Sequence, residues 1–501
     1  MMQRTLLAIA SLLHGAALAA ATTPDVRIEH VTLVSPERAR PVPDVEVVIH
    51  DGRIASISRA DAASASGSEQ SSSAISIDGH GLYLTPGLID SHVHLGSIPG
   101  MNEEQEARHP EIALEARQQL PKSYLLYGFT TLIDLISDPQ QMARWLSHEP
   151  VPNTYFCGGA ALIDGYPMNF IPKPQRYQAM PYLLIEPGTA APPGLDAAQH
   201  TPAAVVARMK ADGAICVKTF FEHGFGPTHD LPVPRVETIQ ALVKAAHAAG
   251  MPVLLHANGV DGHSFGLETG VDIMAHGIWH WKESTPTTEP TPAIRKILDS
   301  ERARNVGWQP TIQVLYGERD LFDPTYLNNP AIARVLPASL IDWYRTPEGQ
   351  WFHDLLAEDY DDLKGKEPQA AQAIVERDYA LPIERDEHVT GYFAARGGRL
   401  LFGTDTPSAP TYANPPGLNG WLEMQRLIAA GETPAQIFRS ATLANAEALK
   451  LDREIGTVQV GKRANLLLLR LDPTQTIQAY ADIAKVILRG RVLDPAELVA
   501  H

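Results

Sequence analysis

Cysteine, positive charge and long apolar runs are what this 501-residue chain has little of. Its two cysteines, Cys157 and Cys216, exclude a disulfide framework as the source of the fold. They can form one disulfide in an oxidising compartment, or be two small buried residues on barrel strands. Lys and Arg number 41 against 58 Asp and Glu, a formal net charge of -17. Nucleic acid and anionic membranes both require clustered positive charge, so neither is an expected partner. The one apolar run of note, Thr5 to Ala16, is too short to span a bilayer. With Arg4 before it and Ala17-Leu18-Ala19-Ala20-Ala21 after it, residues 1–21 read as a secretory signal peptide. The mature protein is then expected to be secreted, to the periplasm, with no membrane span.

The remaining sequence changes character twice. Residues 22–82 are rich in short strand signals: Val45 to Ile49 and Arg53 to Ile57 flank His50-Asp51-Gly52, a hairpin turn. The Ala/Ser-rich stretch Asp61 to Ser73 reads as an exposed loop. Residues 83–451 alternate strand and helix patterns, which implies parallel β/α units. Barrel strands are expected at Leu88–Asp90, Thr130–Asp134, Thr154–Cys157, Ala214–Thr219, Val253–His256, Ile273–His276, Val306–Pro310 and Leu400–Asp405. Glu237–Ala249 is expected as a helix with Gly250 after its end, and Thr433-Pro434-Ala435-Gln436 as a capping box. Between the last two strands, residues 316–397 form a charged, aromatic and helical insertion, of a size expected for a lid or an interface. Residues 452–501 return to strands at Gly456–Val458, Ala464–Leu471 and Lys485–Val492. The expected fold is α/β: a (β/α)8 TIM barrel with a small composite β-sandwich built from both ends of the chain.

Chemistry concentrates at the expected strand ends. In Pro86-Gly87-Leu88-Ile89-Asp90-Ser91-His92-Val93-His94 the two histidines are two residues apart, so on a strand they point the same way. Imidazole suits Zn²⁺ and related ions. Lys218, His256, His276 and Asp405 end, or nearly end, further strands, and the active-site mouth of such barrels is built from those ends. Six metal- or proton-handling residues placed this way are hard to explain as packing. His223, His263 and His280 lie just beyond strand ends, where pocket-lining and solvated-loop roles are both open; Tyr412 is a further candidate for substrate contact. Trp279, Trp281 and Trp308 near the same rim can wall an apolar subsite or pack beneath the insertion.

With these motifs the chain resembles the amidohydrolase superfamily, in its imidazolonepropionase-like and prolidase-like branch. Pro86 to His94, His256, His276, Asp405 and Lys218 match that family's metal motifs. In the tail Ala441-Thr442, Asn445, Gly456-Thr457, Gly461-Lys462 and Val486 to Gly490 match as well. The resemblance implies two divalent metal ions, Zn²⁺ being the expected one, bridged by a carboxylated Lys218. His92, His94 and Asp405 would hold one ion, and His256 and His276 the other. A mononuclear site beside an unmodified lysine is the alternative. The implied reaction is hydrolysis of an amide bond, in a dipeptide or an N-acyl amino acid, by metal-bound hydroxide with Asp405 shuttling the proton. Cyclic amides, esters, lactones and phosphotriesters are alternatives for the same site. A binding protein on an inactive scaffold is the non-enzymatic reading, which six intact ligand residues oppose. A small-molecule or dipeptide partner follows, with a homo-oligomer possible. Three departures stand out. Ala464-Asn465-Leu466 replaces a common Ala-Asp-Leu, and Ile133-Asp134 a common Arg-Asp. His256-Ala257-Asn258-Gly259 lacks the Glu of deaminase relatives, which argues against deamination.

Overall fold

The computed structural model describes residues 24–59, 75–225, 228–281, 286–408 and 410–501. The expected signal peptide and the Asp61–Ser73 loop lie outside the described residues. Among the described residues no helix is long and apolar enough to cross a membrane.

Both chain ends contribute to one eight-stranded sheet. Its N-terminal strands are β1 (Val26–Leu33), β2 (Val42–His50), β3 (Arg53–Arg59), β4 (Ile75–Asp78) and β5 (Tyr83–Pro86). The β2–β3 turn has Asp51 and Gly52 at φ 48° and 70°, as an Asp-Gly hairpin requires. The strand β1 forks: its first half pairs with β4 and its second with β5, both parallel. The C-terminal β14 (Leu466–Leu469) pairs with β5 and extends the sheet to β15 (Ile483–Leu488) and β16 (Arg491–Leu493). The strand expected at Gly456–Val458 is a bend instead. Gly456 sits at φ 89°, and the Val458 N–H donates to Ser35 Oγ rather than to a ladder.

Eight parallel strands form the second sheet: β6 (Leu88–Val93), β7 (Phe129–Asp134), β8 (Asn153–Ala160), β9 (Cys216–Phe220), β10 (Val253–His256), β11 (Ile273–Ala275), β12 (Gly307–Gln309) and β13 (Arg399–Leu400). Each neighbours the next in chain order, with helices between. The ring closes because β6 meets the chain just after β13. The Ser91 N–H donates to the Phe402 carbonyl, the Asp405 N–H to the His92 carbonyl and the His94 N–H to the Thr406 carbonyl. The eighth strand was expected through Asp405, but its ladder with β12 ends at Leu400. Buried polar side chains hold the irregular remainder. Asp90 accepts from Thr404 Oγ1 at 2.6 Å and from the Thr404 N–H at 3.1 Å. Asn445 Nδ2 donates to the carbonyls of both Ile89 and Phe402, joining first and eighth strands.

The helix Val236–Ala248 turns Ile239, Leu242, Val243 and Ala246 inward, and Gly250 follows it at φ 78°. Thr433 and Gln436 make the expected capping box. The insertion is helical at Ala338–Tyr344, Trp351–Ala357 and Pro368–Ala395. Its Trp343, Tyr344 and Phe352 share one apolar core with Leu88, Val93, Ile98 and Tyr412, so it is seated against the barrel.

Candidate active site

Period-two alternation decides which barrel residues meet. Cys216 and Lys218 lie on one face of β9, and Leu254 and His256 on one face of β10. Deep in the barrel that face is apolar: Ile133, Leu254, Ile273 and Leu401 surround Cys157 and Cys216, which lie opposite each other in register and are joined as a disulfide. One layer higher Lys218 and His256 continue β9 and β10, and they are joined by His92 of β6 and by His276, the residue after β11.

That upper layer is tightly packed. His94 Nε2 lies 2.9 Å from Asp405 Oδ1. His92 Nε2 is 2.8 Å from the same oxygen but without hydrogen-bond alignment, so both ring nitrogens of this fully buried histidine lack a hydrogen-bond partner. The rings of His92 and His276 are 5.1 Å apart, and those of His256 and His276 4.7 Å. His92, His276 and Asp405 each offer a ligand atom within 4.8 Å of the others. The Lys218 ammonium, 1 % exposed, has no hydrogen-bond partner. Histidines collected around one carboxylate oxygen, with orphaned buried nitrogens and an unpaired lysine, fit a metal centre.

Burial sets the protonation states. It pushes His92 down to about 3, helped by the Lys218 charge, and lowers His256 and His276 as well. All three are then neutral imidazoles, the form that binds metal. Burial also brings the Lys218 amine down to about 7, against the opposing pull of Asp405. For Asp405 burial acts upward, but His92, His94 and His276 outweigh it and keep the group a carboxylate.

Two residues of the cluster carry unusual backbone. His276 sits at φ 106° and Asp405 at φ 58°, a region that non-glycine residues rarely occupy. A third outlier supports them. Thr311, β-branched and fully buried at φ 55°, places Oγ1 2.8 Å from His276 Nδ1. Glu423 holds the turn that follows, accepting from the N–H groups of Ile312 and Gln313.

The remaining sequence candidates separate. His223 is exposed and touches Phe221; His280 is exposed and pairs its backbone with Gly259. His263 is wholly buried, its Nδ1 2.8 Å from Glu301 and 3.3 Å from Trp308 Nε1. Trp308 also packs on Phe393 of the insertion helix, on the outer side of the barrel, because its neighbours Gly307 and Gln309 take the inward positions. Trp281 stacks with Arg385 of that helix, whereas Trp279 lies 5.5 Å from the His276 ring and packs on Leu315 and Ile383. Tyr412 is buried, stacked on Tyr344 at 4.8 Å with its hydroxyl on Gln350, so the structure places it in the packing under the insertion and not in the cluster. Asp134 caps backbone N–H groups of Leu95 and Ile136.

Sequence reading missed Glu222, Tyr166, Thr311 and Glu318. Glu222 Oε2 lies 3.4 Å from His256 Nε2 and accepts from Asn258 Nδ2 at 3.0 Å. Carrying the alternation of Lys218 and Phe220 two residues past the strand would have reached it. The Tyr166 ring stacks on His256 at 4.5 Å. Glu318, in the helix Gln313–Asp320, accepts from Tyr379 of the insertion at 2.9 Å, and burial pushes it up to about 7, with the Asp405 charge adding to the rise. Tyr166, Thr311 and Glu318 sit on loops or in the insertion, where no periodicity points to them.

Comparison with known proteins agrees with this geometry. The model of the amidohydrolase family matches residues 83–285 and 388–493, more than half of the chain, and omits most of the insertion. No curated protein sequence matches significantly. Among solved structures the chain is similar to a Xaa-Pro dipeptidase with bound methionine (19 % identity, TM-score 0.63, covering 94 % of this chain and 100 % of that one). It is similar to the A. niger ochratoxinase (17 %, 0.63, 94 % and 96 %) and to molinate hydrolase (18 %, 0.61, 95 % and 96 %). At these identities the likeness shows the shared fold. The family match over the strands that carry the cluster settles the assignment: the chain belongs to the amidohydrolase family and is a hydrolase acting on carbon–nitrogen bonds.

Proposed function

We propose that this protein hydrolyses an amide bond in a dipeptide or an N-acyl amino acid, using a centre of two divalent ions held by His92, His94, Lys218, His256, His276 and Asp405. The observation that carries this reading is Lys218: a buried amine without a partner, facing Asp405 and the histidines. An ammonium cannot ligate a cation. With its amine brought down to about 7, a substantial fraction is neutral near pH 7. It can add to CO₂, losing one proton, to give a carbamate with two ligand oxygens.

When bound, the ions supply a water of lowered pKa and polarise the scissile carbonyl. Asp405, kept ionised, takes the proton of the attacking water and returns it to the leaving nitrogen. His94 fixes the Asp405 carboxylate, and Thr311 fixes the His276 ring. Trp279, packed on Leu315 and Ile383, excludes water on the His276 side. The insertion thereby roofs the mouth, and replacing residues 316–397 by a short linker should alter substrate range or assembly. Residues 1–21, read as a secretory signal, support the reading that this chemistry takes place outside the cytoplasm.

The test is metal analysis combined with a dipeptide and N-acyl amino acid library. Two metal equivalents and turnover of at least one library class are expected. One tightly bound equivalent in fully active enzyme, unchanged in Lys218→Ala, would overturn the bridged site; a fully metallated protein inert towards the whole library would overturn the substrate class.

A further inference from the structure

Beside His256 the mouth carries aromatic rings that the hydrolytic chemistry does not need. Tyr166, on the loop after β8, lies nearly parallel to the His256 ring, at 30°. Its other contacts are edge-on: Phe220 at 5.8 Å, Phe170 at 5.9 Å and Phe225 at 5.6 Å. Behind them stands a packed apolar cluster of Met168, Met180, Leu183 and Phe220, which also takes Tyr166 at its edge. The shelf is therefore backed by core and not carried on a free loop. Its outer rings nevertheless face solvent: Phe170 is 67 % exposed and Phe225 39 %. Exposed rings from two separate segments, Phe225 at 6.3 Å from the buried His256 and Phe170 joined to it through Tyr166, cost hydration free energy that packing does not recover. A ligand that covers them recovers it.

Glu222 sets the charge of that ligand. Its carboxylate is 9 % exposed and lies 3.4 Å from His256 Nε2, on the ring against which Tyr166 stacks. A substrate carboxylate here would meet it at low dielectric, whereas an amine or a neutral amide N–H would be accepted.

We propose that Tyr166, Phe170 and Phe225 form a substrate subsite for an aromatic group that carries no negative charge, adjoining the scissile amide on its His256 side. This names the substrate class of the hydrolytic site and rests on that reading. An edge-to-face and stacked surround favours a flat ring over an aliphatic chain of similar size.

The experiment separates the subsite from the hydrolysis. Binding of benzylamine and n-butylamine to the metal-loaded protein is measured by calorimetry. Both are ammonium ions near neutral pH, so the charge contact to Glu222 is shared and the ring is the difference. Benzylamine should bind at least about tenfold tighter, and the preference should fall to roughly threefold or less in Phe170→Leu/Phe225→Leu, which keeps apolar volume without rings. Glu222→Gln should weaken both amines and keep the ring preference. Equal binding of the two amines by the wild type, or an unchanged preference in the double variant, overturns the subsite. So does a double variant that changes sedimentation state with the preference intact, because the rings would then be a contact between copies of the chain. Ring-selective binding in a protein inert towards every amide would remove the hydrolytic reading and leave the subsite standing.

Discussion

The floor and the mouth of this barrel are made by the same strands, two residues apart, and they obey different rules. At the floor Cys216 packs with Cys157, Ile133 and Leu254. At the mouth Lys218 and His256, the next residues on the same faces, meet His276 and Asp405, with orphaned polar atoms and residues at positive φ. The floor is optimised for packing. The mouth holds buried polar atoms without a protein partner and residues at positive φ, held in place by the packed layer below and by the hydrogen bonds of Thr311 and Glu423. Stability and chemistry are thus separated by one step of the β alternation.

The sharpest way to break the floor alone is to remove its disulfide, which closes a separation of 59 residues. Cys157→Ala/Cys216→Ala should lose about 4 kcal/mol by the chain-entropy estimate, read from denaturant midpoints, while the metal content of the folded fraction stays at the wild-type value. Loss of metal from fully folded protein would show that the layers are not separable. At the mouth, Asp405→Asn should lower kcat by at least about 100-fold, about 2.7 kcal/mol in barrier, with metal largely retained and stability unreduced. Near-normal turnover would remove Asp405 as the proton carrier.

Thr311→Val tests whether the strained turn serves the metal. It keeps the shape and deletes the oxygen on His276 Nδ1, so metal affinity should fall about 10- to 100-fold. Thr311→Ser should restore most of that affinity. Equal affinity in the Val variant would reduce the turn to packing.

The smallest effect lies away from both regions. Burial pushes Glu432 up to about 7 from an ordinary 4.5, and its Oε1 has no hydrogen-bond partner. The folded state then binds the extra proton between pH 4.5 and 7, so the stability it favours is present at low pH and lost as pH rises through 7. Glu432→Gln should be the more stable protein at pH 8, and the difference should shrink as pH falls towards 4.5. A difference independent of pH would contradict the burial argument.

Much of this was legible beforehand, because one residue carried one signal. His92 lies on β6 and His94 one residue past its end, their spacing turning both the same way, and β10 could be read to its last residue, His256. The Asp-Gly hairpin and the Thr433 capping box are local devices. Legibility failed where the backbone leaves its ladder. His276 and Asp405 were expected on strands but lie just beyond them, since β11 ends at Ala275 and β13 at Leu400. The packing of Tyr412 on Tyr344 and Gln350 was not legible, because the loop that holds it meets an insertion distant in sequence. Thr311, Glu222 and Tyr166 sit on connections, whose conformation depends on contacts far away in sequence.

By itself the sequence determined the alternating β/α pattern, the residues able to bind metal, and the rule that neighbours two apart share a face; these follow from local sterics and side-chain chemistry. Only the tertiary structure decided that strand eight bends back to strand one to bring Asp405 onto His92 and His94, that Thr311 buttresses His276, and that Tyr166, Phe170 and Phe225 meet beside His256. Such contacts join residues tens to hundreds of positions apart, and their energy exists only once the barrel has closed.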